Sequence, residues 1–398
     1  MTATQHSPKA LAPAQRWILF FIFTLAISLL ALDGCGGMHN NSMMQPPMGQ
    51  PTSFAFVSNM GSGTVSAFAV SGSGNLSAVP GSPFPSGPGA EFMALDNVHR
   101  FLFVSNQSSN TISAFSVNTT TGMLTRVSGS PFATGATPLA VAVDPMGKFV
   151  FVANQDGNSV SVFSINSSNG ALSELPGSPF TGISNPFGVT VSPNGAFLFV
   201  SSANASLGTG NTVSTFAINP MTGSLTLSAS PSATSNPPGI TSPIGMATDG
   251  RFLFVGDHMA EAVAPFSINA SSGALTPVSS LPAPGSGCGV SCHHNPLRLA
   301  VDPMNKFIFW TNVQAGTLSA FNINNGSLTA ITEAPTGQHP FGLAFDPSGS
   351  LLFVVNKVDN TISGFSVNSN SGMVSPLAGS PFPEGNSAPT DIVIIARQ

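Results

Sequence analysis

The chain has 398 residues, of which only 6 % are charged, and its formal charge of −5 comes from 15 acidic and 10 basic residues. So few cations form no basic stripe for binding phosphates, which argues against a nucleic-acid partner. The 41 glycines and 34 prolines predict many tight turns between short strands, and the 31 phenylalanines predict apolar contacts between packed sheets.

Residues 1–34 have the features of an export signal. Cations precede the apolar stretch 17–32, whose sixteen residues suit a signal peptide better than a membrane-spanning helix. The following segment, 32–35, reads Leu-Asp-Gly-Cys and resembles a bacterial lipoprotein signal. We therefore expect cleavage before Cys35 and lipidation of that cysteine, which would anchor the exported protein in the membrane of the cell envelope. An ordinary secretory signal with an incidental cysteine is the alternative.

Residues 35–53 predict a flexible tether between this anchor and a folded region. Four methionines and His39 lie in the tether, and such ligands can hold a soft metal ion such as Cu(I). A linker without metal is the simpler interpretation. The sequence therefore predicts no metal site and no cofactor.

From residue 54 onward an apolar motif of the form Phe-x-Phe-Val, or a close variant, recurs seven times at intervals of 44 to 55 residues. Each repeat contains four short apolar segments separated by turn residues, as in 138–144, 149–154, 159–165 and 171–175. Repeats of this length and content are typical of β-propellers. Residues 54–398 thus predict an all-β ring of seven four-stranded antiparallel blades. The second aromatic position of the motif holds Phe56, Phe103, Phe151, Phe199, Phe254, Phe309 and Phe353.

The two ends of this region are complementary. It opens on a segment of the second-strand type, 54–58, and finishes on a lone segment of the first-strand type, 391–396. We expect strand 391–396 to supply the innermost strand that the first blade lacks, because their pairing would cover both open sheet edges.

Cys288 and Cys292 stand in a lengthened loop before the first strand that begins near Pro296. Outside the cytoplasm two nearby cysteines most often pair, so a disulfide is the favoured prediction. The alternative is metal binding by both cysteines with His293 and His294, whose thiolate and imidazole groups suit zinc or copper. A covalent haem is a further alternative, since Cys-x-x-x-Cys-His is one residue longer than the haem-attachment motif.

In a four-stranded blade, the loops between strands two and three and the loops that join consecutive blades emerge on one face, here called the loop face. The opposite face, here called the turn face, carries Asp-Pro-x-Gly and Asn/Ser/Gly turns that recur in nearly every blade. Because recurrent residues serve the fold, functional residues should be those that break the repeat. Candidates on the loop face are the segments 106–110, 154–158, 257–261, 288–295, 312–316 and 356–360, with Glu91, His339 and Glu384.

One break lies in the first strands, two residues after the position that usually holds proline. Small residues predominate there, as expected for strands crowded near an axis, but Arg298 and Asp391 place charges in the same region. An unpaired charge is costly in such a place. These two residues are predicted to form an internal ion pair or to contact channel water. Alternatively, Arg298 lies at the mouth near His293, His294 and His339 and binds the carboxylate or phosphate of a ligand.

The pattern Phe-Val-x-Asn, polar loop, Thr-Ile-Ser-x-Phe-x-Val, as in 103–117 and 353–367, resembles the lactonase-type seven-bladed propeller family. That family includes bacterial 6-phosphogluconolactonase and carboxymuconate cyclase, and the repeats are also similar to the Tyr-Val-Thr-Asn repeats of surface proteins. The resemblance covers residues 54–396 and implies ester hydrolysis in the central funnel of the ring. His339 and 294–296 are similar to the family's His-rich segment before a first strand, whereas its Asp-x-Gly-x-Asp-Arg loop has no counterpart here.

A lactonase needs a general base or a water-activating group near the ester carbonyl. On the resemblance we assign His339 to that role, with Glu384 or Asp257 as its orienting partner and Arg298 holding an acid group of the substrate. Asp391, His293 and His294 are further ligand-binding candidates.

Two functions stay open at this point. In the first, the exported ring is a rigid binding scaffold whose loop face recognises an envelope protein or a glycan. In the second, the ring hydrolyses a lactone or a related cyclic ester. The expected location favours the first function, because phosphorylated sugar lactones are cytoplasmic intermediates, and the family resemblance favours the second. The residues alone predict a monomeric scaffold, with a small cyclic ester as substrate if the protein is an enzyme.

Overall fold

A computed structural model of the chain describes residues 50–203, 211–233, 242–278, 295–385 and 388–398. Within these ranges the chain forms seven antiparallel sheets and one short 3₁₀ turn, Gln107–Ser109. The prediction of an all-β, seven-bladed propeller is therefore confirmed. In the part of the chain so described, no helix is long and apolar enough to cross a membrane.

Each sheet is one blade, and its strands are arranged from the axis outward in chain order, except that the innermost strand of the first blade comes from the C-terminal end. The innermost strands are Pro389–Ala396, Ala90–Asp96, Pro138–Val143, Pro186–Val191, Pro243–Thr248, Pro296–Val301 and Pro340–Phe345. The second strands are Ser53–Asn59, Phe101–Asn106, Phe149–Asn154, Phe197–Ser202, Phe252–Asp257, Phe307–Asn312 and Leu351–Asn356.

The outer half of each blade is built from the third and fourth strands. The third strands are Thr64–Val70, Thr111–Val117, Ser159–Ile165, Thr212–Ile218, Ala262–Ile268, Thr317–Asn324 and Thr361–Val367. The fourth strands are Leu76–Ala78, Leu124–Arg126, Leu172–Glu174, Leu225–Ala233, Leu275–Pro277, Ser327–Pro335 and Val374–Pro376.

Among the described residues, four blades carry a short fifth strand that the repeat pattern did not predict. Each of these strands has two residues, begins at the Phe of a Gly-Ser-Pro-Phe corner with a cis Ser-Pro bond, and pairs with the third strand of its blade. The serine of the corner accepts a hydrogen bond from that same strand, as from Ala114 N to Ser130 Oγ at 2.9 Å. The added strands are Phe84–Pro85, Phe132–Ala133, Phe180–Thr181 and Phe382–Pro383.

The C-terminal strand closes the ring as predicted. Pro389–Ala396 pairs antiparallel with Ser53–Asn59, with Phe56 opposite Val393 and Ser58 opposite Asp391. The first blade thus takes its innermost strand from the far end of the chain. Both strand edges that the linear sequence would leave open are covered by this pairing.

The second strands are buried along their whole length and apolar over most of it, because each lies between two neighbouring sheets. In the second blade, Leu102 and Val104 pack with Phe56 of the first blade. The alternate residue Phe103 packs instead with Val150 of the third blade. Successive side chains of a strand point to opposite faces. The recurrent Phe-x-Phe-Val motif therefore supplies apolar side chains to the packing on both faces of the blade.

The asparagine that ends most second strands ties the hairpin to the third strand. Asn106 Nδ2 donates to Thr111 Oγ1 at 3.0 Å and to Ser113 Oγ at 2.9 Å. Asn312 and Asn356 make the equivalent pairs of bonds in their blades. The motif Phe-Val-x-Asn followed by Thr-x-Ser therefore encodes a buried amide clamp, which is a structural role.

Removal of the closing strand should destabilise the whole ring. Deletion of residues 389–398 removes the buried side chains of Ile392 and Ile395, each worth about 2–5 kcal/mol, and exposes the edge of Ser53–Asn59. We expect a markedly lower midpoint in urea unfolding than for a control chain that lacks only residues 397–398. Equal midpoints for the two deletions would show that the ring does not depend on this strand.

Candidate active site at the ring axis

The innermost strands crowd around the axis, and glycine relieves that crowding. A Cβ atom at Gly245 would lie 2.2 Å from the backbone oxygen of Leu297 in the next blade. A Cβ atom at Gly342 would lie 2.6 Å from Cα of Asp391. No side chain fits at such distances, so glycine is required there. Larger residues occupy the equivalent position in three blades, namely Phe92, Arg298 and Asp391.

Arg298 and Asp391, which the sequence singled out, meet across the axis. Arg298 Nη2 donates to Asp391 Oδ2 at 2.7 Å. The same carboxylate oxygen accepts a hydrogen bond from Met93 N at 3.0 Å, so three blades are joined at one point. Burial raises the pKa of Asp391, and the charge of Arg298 opposes that rise. The pair therefore satisfies a charge that would otherwise be costly inside the ring.

Aromatic rings fill the axis beside this ion pair. The guanidinium carbon of Arg298 lies 4.4 Å from the centroid of the Phe92 ring. Phe92 stacks on Phe341 at 6.2 Å between centroids and meets Phe187 edge-on at 6.1 Å. Lys357 Nζ lies 4.6 Å from the centroid of Phe341. Two cations and three aromatic rings thus form a continuous cluster, here called the axial stack, held together by cation–π and ring contacts.

Glu91 lies beside the axial stack with its carboxyl group buried. Only 7 % of the residue is exposed, and Oε2 has no hydrogen-bond partner among the described residues. Burial raises the pKa of Glu91 to about 7, while the charges of Lys357 and then Arg298 act to lower it and Asp391 acts to raise it. A carboxyl group that titrates near neutral pH can both take up and return a proton under physiological conditions.

The backbone of Glu91 is held in place by the neighbouring blade. Its carbonyl oxygen accepts hydrogen bonds from Ser58 Oγ at 2.6 Å and from Thr390 Oγ1 at 2.8 Å. Both donors belong to the first blade, whose innermost strand comes from the C-terminal end of the chain. The position of the carboxyl group therefore depends on the closure of the ring.

His339, the base proposed from the sequence, lies on the loop face at a different place. It is exposed, and it lines a polar pocket of about 450 Å³ with Gln314, Gln338 and Asp359. Its backbone carbonyl accepts a hydrogen bond from Lys357 N at 2.9 Å. His339 is therefore connected to the axial stack through the backbone of the loop that carries Lys357.

The two acids proposed as partners of His339 are buried, and both carboxylates accept hydrogen bonds from the surrounding structure. Asp257 Oδ1 accepts hydrogen bonds from the backbone N–H groups of Ser242, Met259 and Ala260, each at 3.0 Å. Glu384 Oε1 accepts a hydrogen bond from Ser66 Oγ. These bonds organise loops, so the catalytic roles given to both acids stay predictions.

The remaining sequence candidates fall outside the described residues. These are the lipidation site Cys35, the cysteines 288 and 292, and the histidines 293 and 294. Within the described ranges, no group of three His, Cys, Asp or Glu side chains could hold a metal ion.

The sequence placed Glu91 and the segment 356–360, which contains Lys357, among the loop-face candidates, but it gave neither residue a role in the chemistry. Glu91 stands one residue before the position at which Arg298 and Asp391 break the repeat. At its own position in the repeat Glu91 is the only acid, which is the sequence signal that distinguishes it. The other blades hold Leu139, Phe187, Ile244, Leu297, Phe341 and Thr390 at that position.

Comparison with known proteins identifies relatives of this ring. The family model of the lactonase seven-bladed β-propeller matches residues 48–134, 94–179, 173–291 and 289–387. No curated protein matches the sequence.

Several solved structures share the fold. A candidate 6-phosphogluconolactonase from Bacteroides uniformis is 18 % identical, with a TM-score of 0.71 over 87 % of this chain and 100 % of that one. A second, from Bacteroides fragilis, is 19 % identical, with a TM-score of 0.69 over 88 % of this chain and 100 % of that one. The periplasmic gluconolactonase PpgL of Pseudomonas aeruginosa is 19 % identical, with a TM-score of 0.70 over 87 % of this chain and 99 % of that one. At these identities the likeness establishes the shared fold alone.

Burial of Glu91 should make the protein less stable as the pH rises. The carboxyl group titrates near its ordinary pKa of 4.5 when unfolded and near 7 when folded, so the folded state holds the proton more tightly between these values. Ionisation above pH 7 then costs the folded state roughly 3 kcal/mol. In urea unfolding, Glu91→Gln should be more stable than the wild type by up to that amount at pH 8. At pH 4, where the carboxyl group is neutral in both states, the difference should vanish. An equal difference at both pH values would contradict the raised pKa.

Proposed function

The chain belongs to the lactonase family of seven-bladed β-propellers, and from that membership we propose that it hydrolyses a lactone at the axis of its ring. The observation that carries the proposal is the carboxyl group of Glu91. It is buried, has an oxygen without a hydrogen-bond partner among the described residues, and has a pKa of about 7. Perturbed acids of this kind are concentrated at catalytic sites.

Glu91 is the general base in this proposal. Its carboxylate takes a proton from a water molecule, and the water oxygen forms a bond to the carbonyl carbon of the lactone. The carbonyl π bond opens to a tetrahedral oxyanion. When the carbonyl re-forms, the ring C–O bond breaks, and the protonated Glu91 returns its proton to the departing alkoxide oxygen. One lactone and one water are thereby converted into one hydroxy acid.

Lys357 is the proposed stabiliser of the oxyanion. Its ammonium group is the opposing charge that acts most strongly on Glu91, and the ring of Phe341 lies beside it. A cation held in a partly dry site stabilises developing negative charge more strongly than it would in water. Arg298 contributes a second, weaker opposing charge, which helps to keep the pKa of Glu91 from rising further.

Glu91 replaces His339 as the proposed base because its carboxyl group is buried and titrates near neutral pH, whereas the His339 side chain is exposed. In the same proposal His339 orients the loop of Lys357 through its carbonyl oxygen. Asp257 and Glu384 stabilise the loop face through the hydrogen bonds that their carboxylates accept.

Binding of a partner on the loop face is a second candidate function. The observation that favours it is the polar pocket lined by Gln314, Gln338, His339 and Asp359. Amide, imidazole and carboxylate groups in an open pocket suit a hydrogen-bonding partner such as a glycan or a polar peptide segment. An envelope partner of this kind is compatible with catalysis at the axis, because the two places use different side chains.

Export to the cell envelope is part of the proposal. The support comes from the apolar stretch 17–32 and the Leu-Asp-Gly-Cys segment that follows it. The periplasmic gluconolactonase of Pseudomonas aeruginosa, which has the same fold, offers a precedent for a ring of this kind outside the cytoplasm.

Turnover should depend on an ionised Glu91. With glucono-δ-lactone in a pH-indicator assay, kcat/KM should rise about tenfold per pH unit below pH 7 and level off above it. Glu91→Gln should lower kcat by about 10²–10⁴-fold and abolish that rise. Glu174→Gln, at an exposed acid on the outer edge of a blade, is the matched control and should behave as the wild type. If the protein hydrolyses neither glucono-δ-lactone nor ε-caprolactone at any pH, the proposal is refuted.

Lys357→Met should separate oxyanion stabilisation from proton transfer. We expect kcat to fall by about 10²–10³-fold, while the acidic limb of the pH profile persists and shifts to higher pH, because the positive charge that lowers the pKa of Glu91 is lost. Lys148→Met, at an exposed lysine on the turn face, is the control. An unchanged kcat in Lys357→Met would remove Lys357 from the mechanism.

Lipidation can be tested through Cys35. In a bacterial host, the full chain should fractionate with membranes and incorporate labelled palmitate, and Cys35→Ala should do neither. Cys288→Ala is the control and should remain in the membrane fraction. Label incorporation that survives Cys35→Ala would contradict the proposed anchor.

A further inference from the structure

A second cavity lies on the axis, on the side of the ion pair that faces the turn face. It has a volume of about 390 Å³, and Arg298 and Asp391 line it together with residues further along the innermost strands. All seven innermost strands, or the turns directly after them, contribute to its wall. Near the turn face its lining includes Asn97, Thr190 and Phe345. None of the rings of the axial stack lines it, and Phe92, Phe187 and Phe341 stand nearer the loop face than the lining residues of the same strands.

The wall of the cavity combines aliphatic side chains with exposed strand edges. Consecutive residues line it on several strands, as at 141–142, 343–345 and 391–394. Because successive side chains point to opposite faces of a strand, such runs show that the strand edge itself faces the axis. Each innermost strand pairs with a neighbour in its blade along only one edge. The other edge offers backbone N–H and C=O groups to whatever occupies the cavity.

Arg298 presents a preorganised cation at the inner end of this cavity. About 25 % of its side chain is exposed, against 3 % for Asp391. Among the described residues, Asp391 is the only acceptor that its guanidinium group contacts, through Nη2, although the group has five N–H donors. Phe92 covers one side of the guanidinium group and holds its plane. A carboxylate can therefore approach the donors that Asp391 leaves unused.

These features define the chemical class of ligand. The anionic end should be a single carboxylate, because Arg298 is already paired with Asp391 and a phosphate would bring a second negative charge to the same guanidinium group. The rest should carry hydroxyl groups, because a hydroxyl both donates and accepts and so fits an edge of alternating N–H and C=O groups. From Asp391 to Ile394 the wall extends over three residue steps, about 10 Å at the usual rise of a strand. That length suits a chain of about six carbons.

We infer that this cavity is a separate binding site for a small hydroxycarboxylate, anchored by Arg298 and reached from the turn face. The inference that this site binds a hydroxycarboxylate depends on the lining of the cavity and on the contacts of Arg298. Only the link to turnover rests on the proposed function, because opening a lactone yields a hydroxycarboxylate. A product of this class would then find a second site across the axial stack from the one where it forms.

Binding of 6-hydroxyhexanoate, measured by isothermal titration calorimetry on the purified protein, tests the inference without any turnover. The wild type should bind it, and the neutral analogue 1,6-hexanediol should bind at least tenfold more weakly. Thr190→Trp places a large side chain in the cavity and should weaken binding at least tenfold. Thr125→Trp, at an exposed position on an outermost strand, is the matched control and should bind as the wild type does.

The role of Arg298 needs a variant that keeps the axis neutral. Arg298→Gln alone would leave Asp391 buried without its partner, so the double variant Arg298→Gln with Asp391→Asn is used, and it should bind at least tenfold more weakly. Glu91→Gln should bind 6-hydroxyhexanoate as the wild type does. Binding that is lost in Glu91→Gln, or that persists in Thr190→Trp, would place the acid elsewhere and overturn the inference, as would the absence of binding at millimolar concentration. None of these results depends on lactone hydrolysis, so the two proposals can fail separately.

Discussion

Crowding of seven innermost strands around one axis is the constraint on which the rest of this structure depends. At the point of closest approach, glycine is required at positions such as Gly245 and Gly342, because any Cβ atom would overlap the next strand. Space remains in only a few blades. The large side chains that occupy it are therefore in contact with one another by necessity, and they form the ion pair and the axial stack.

The same crowding sets the electrostatics of the candidate site. Strands that exclude water raise the cost of every charge, so Arg298 and Asp391 pair directly and the pKa of Glu91 rises to about 7. A carboxyl group kept partly neutral in this way destabilises the ring when it ionises, and it is also suited to proton transfer near neutral pH. Stability and the proposed activity are thus opposed at a single residue.

Ring closure connects the ends of the chain to the site. The closing strand Pro389–Ala396 contributes Asp391 to the ion pair and Thr390 to the bond that holds the Glu91 backbone. Ser58, on the strand with which it pairs, makes the second bond to the same carbonyl. The site is therefore complete only when the first and last strands of the ring are paired.

The sequence alone determined the number of blades, the closing strand and the two charges that enter the axis. Those features are local or periodic: a strand is recognised by its apolar pattern, and Arg298 and Asp391 stand out because their register in the repeat is known. Only the tertiary structure decided that the two charges meet, that Glu91 is buried beside Lys357, and that His339 is exposed in a different pocket. These relations join side chains from blades that are far apart in the chain, and no periodic pattern encodes a distance across the axis. The short fifth strands were missed for a related reason, since two residues are too few to carry a pattern and are held by a bond to a strand that precedes them.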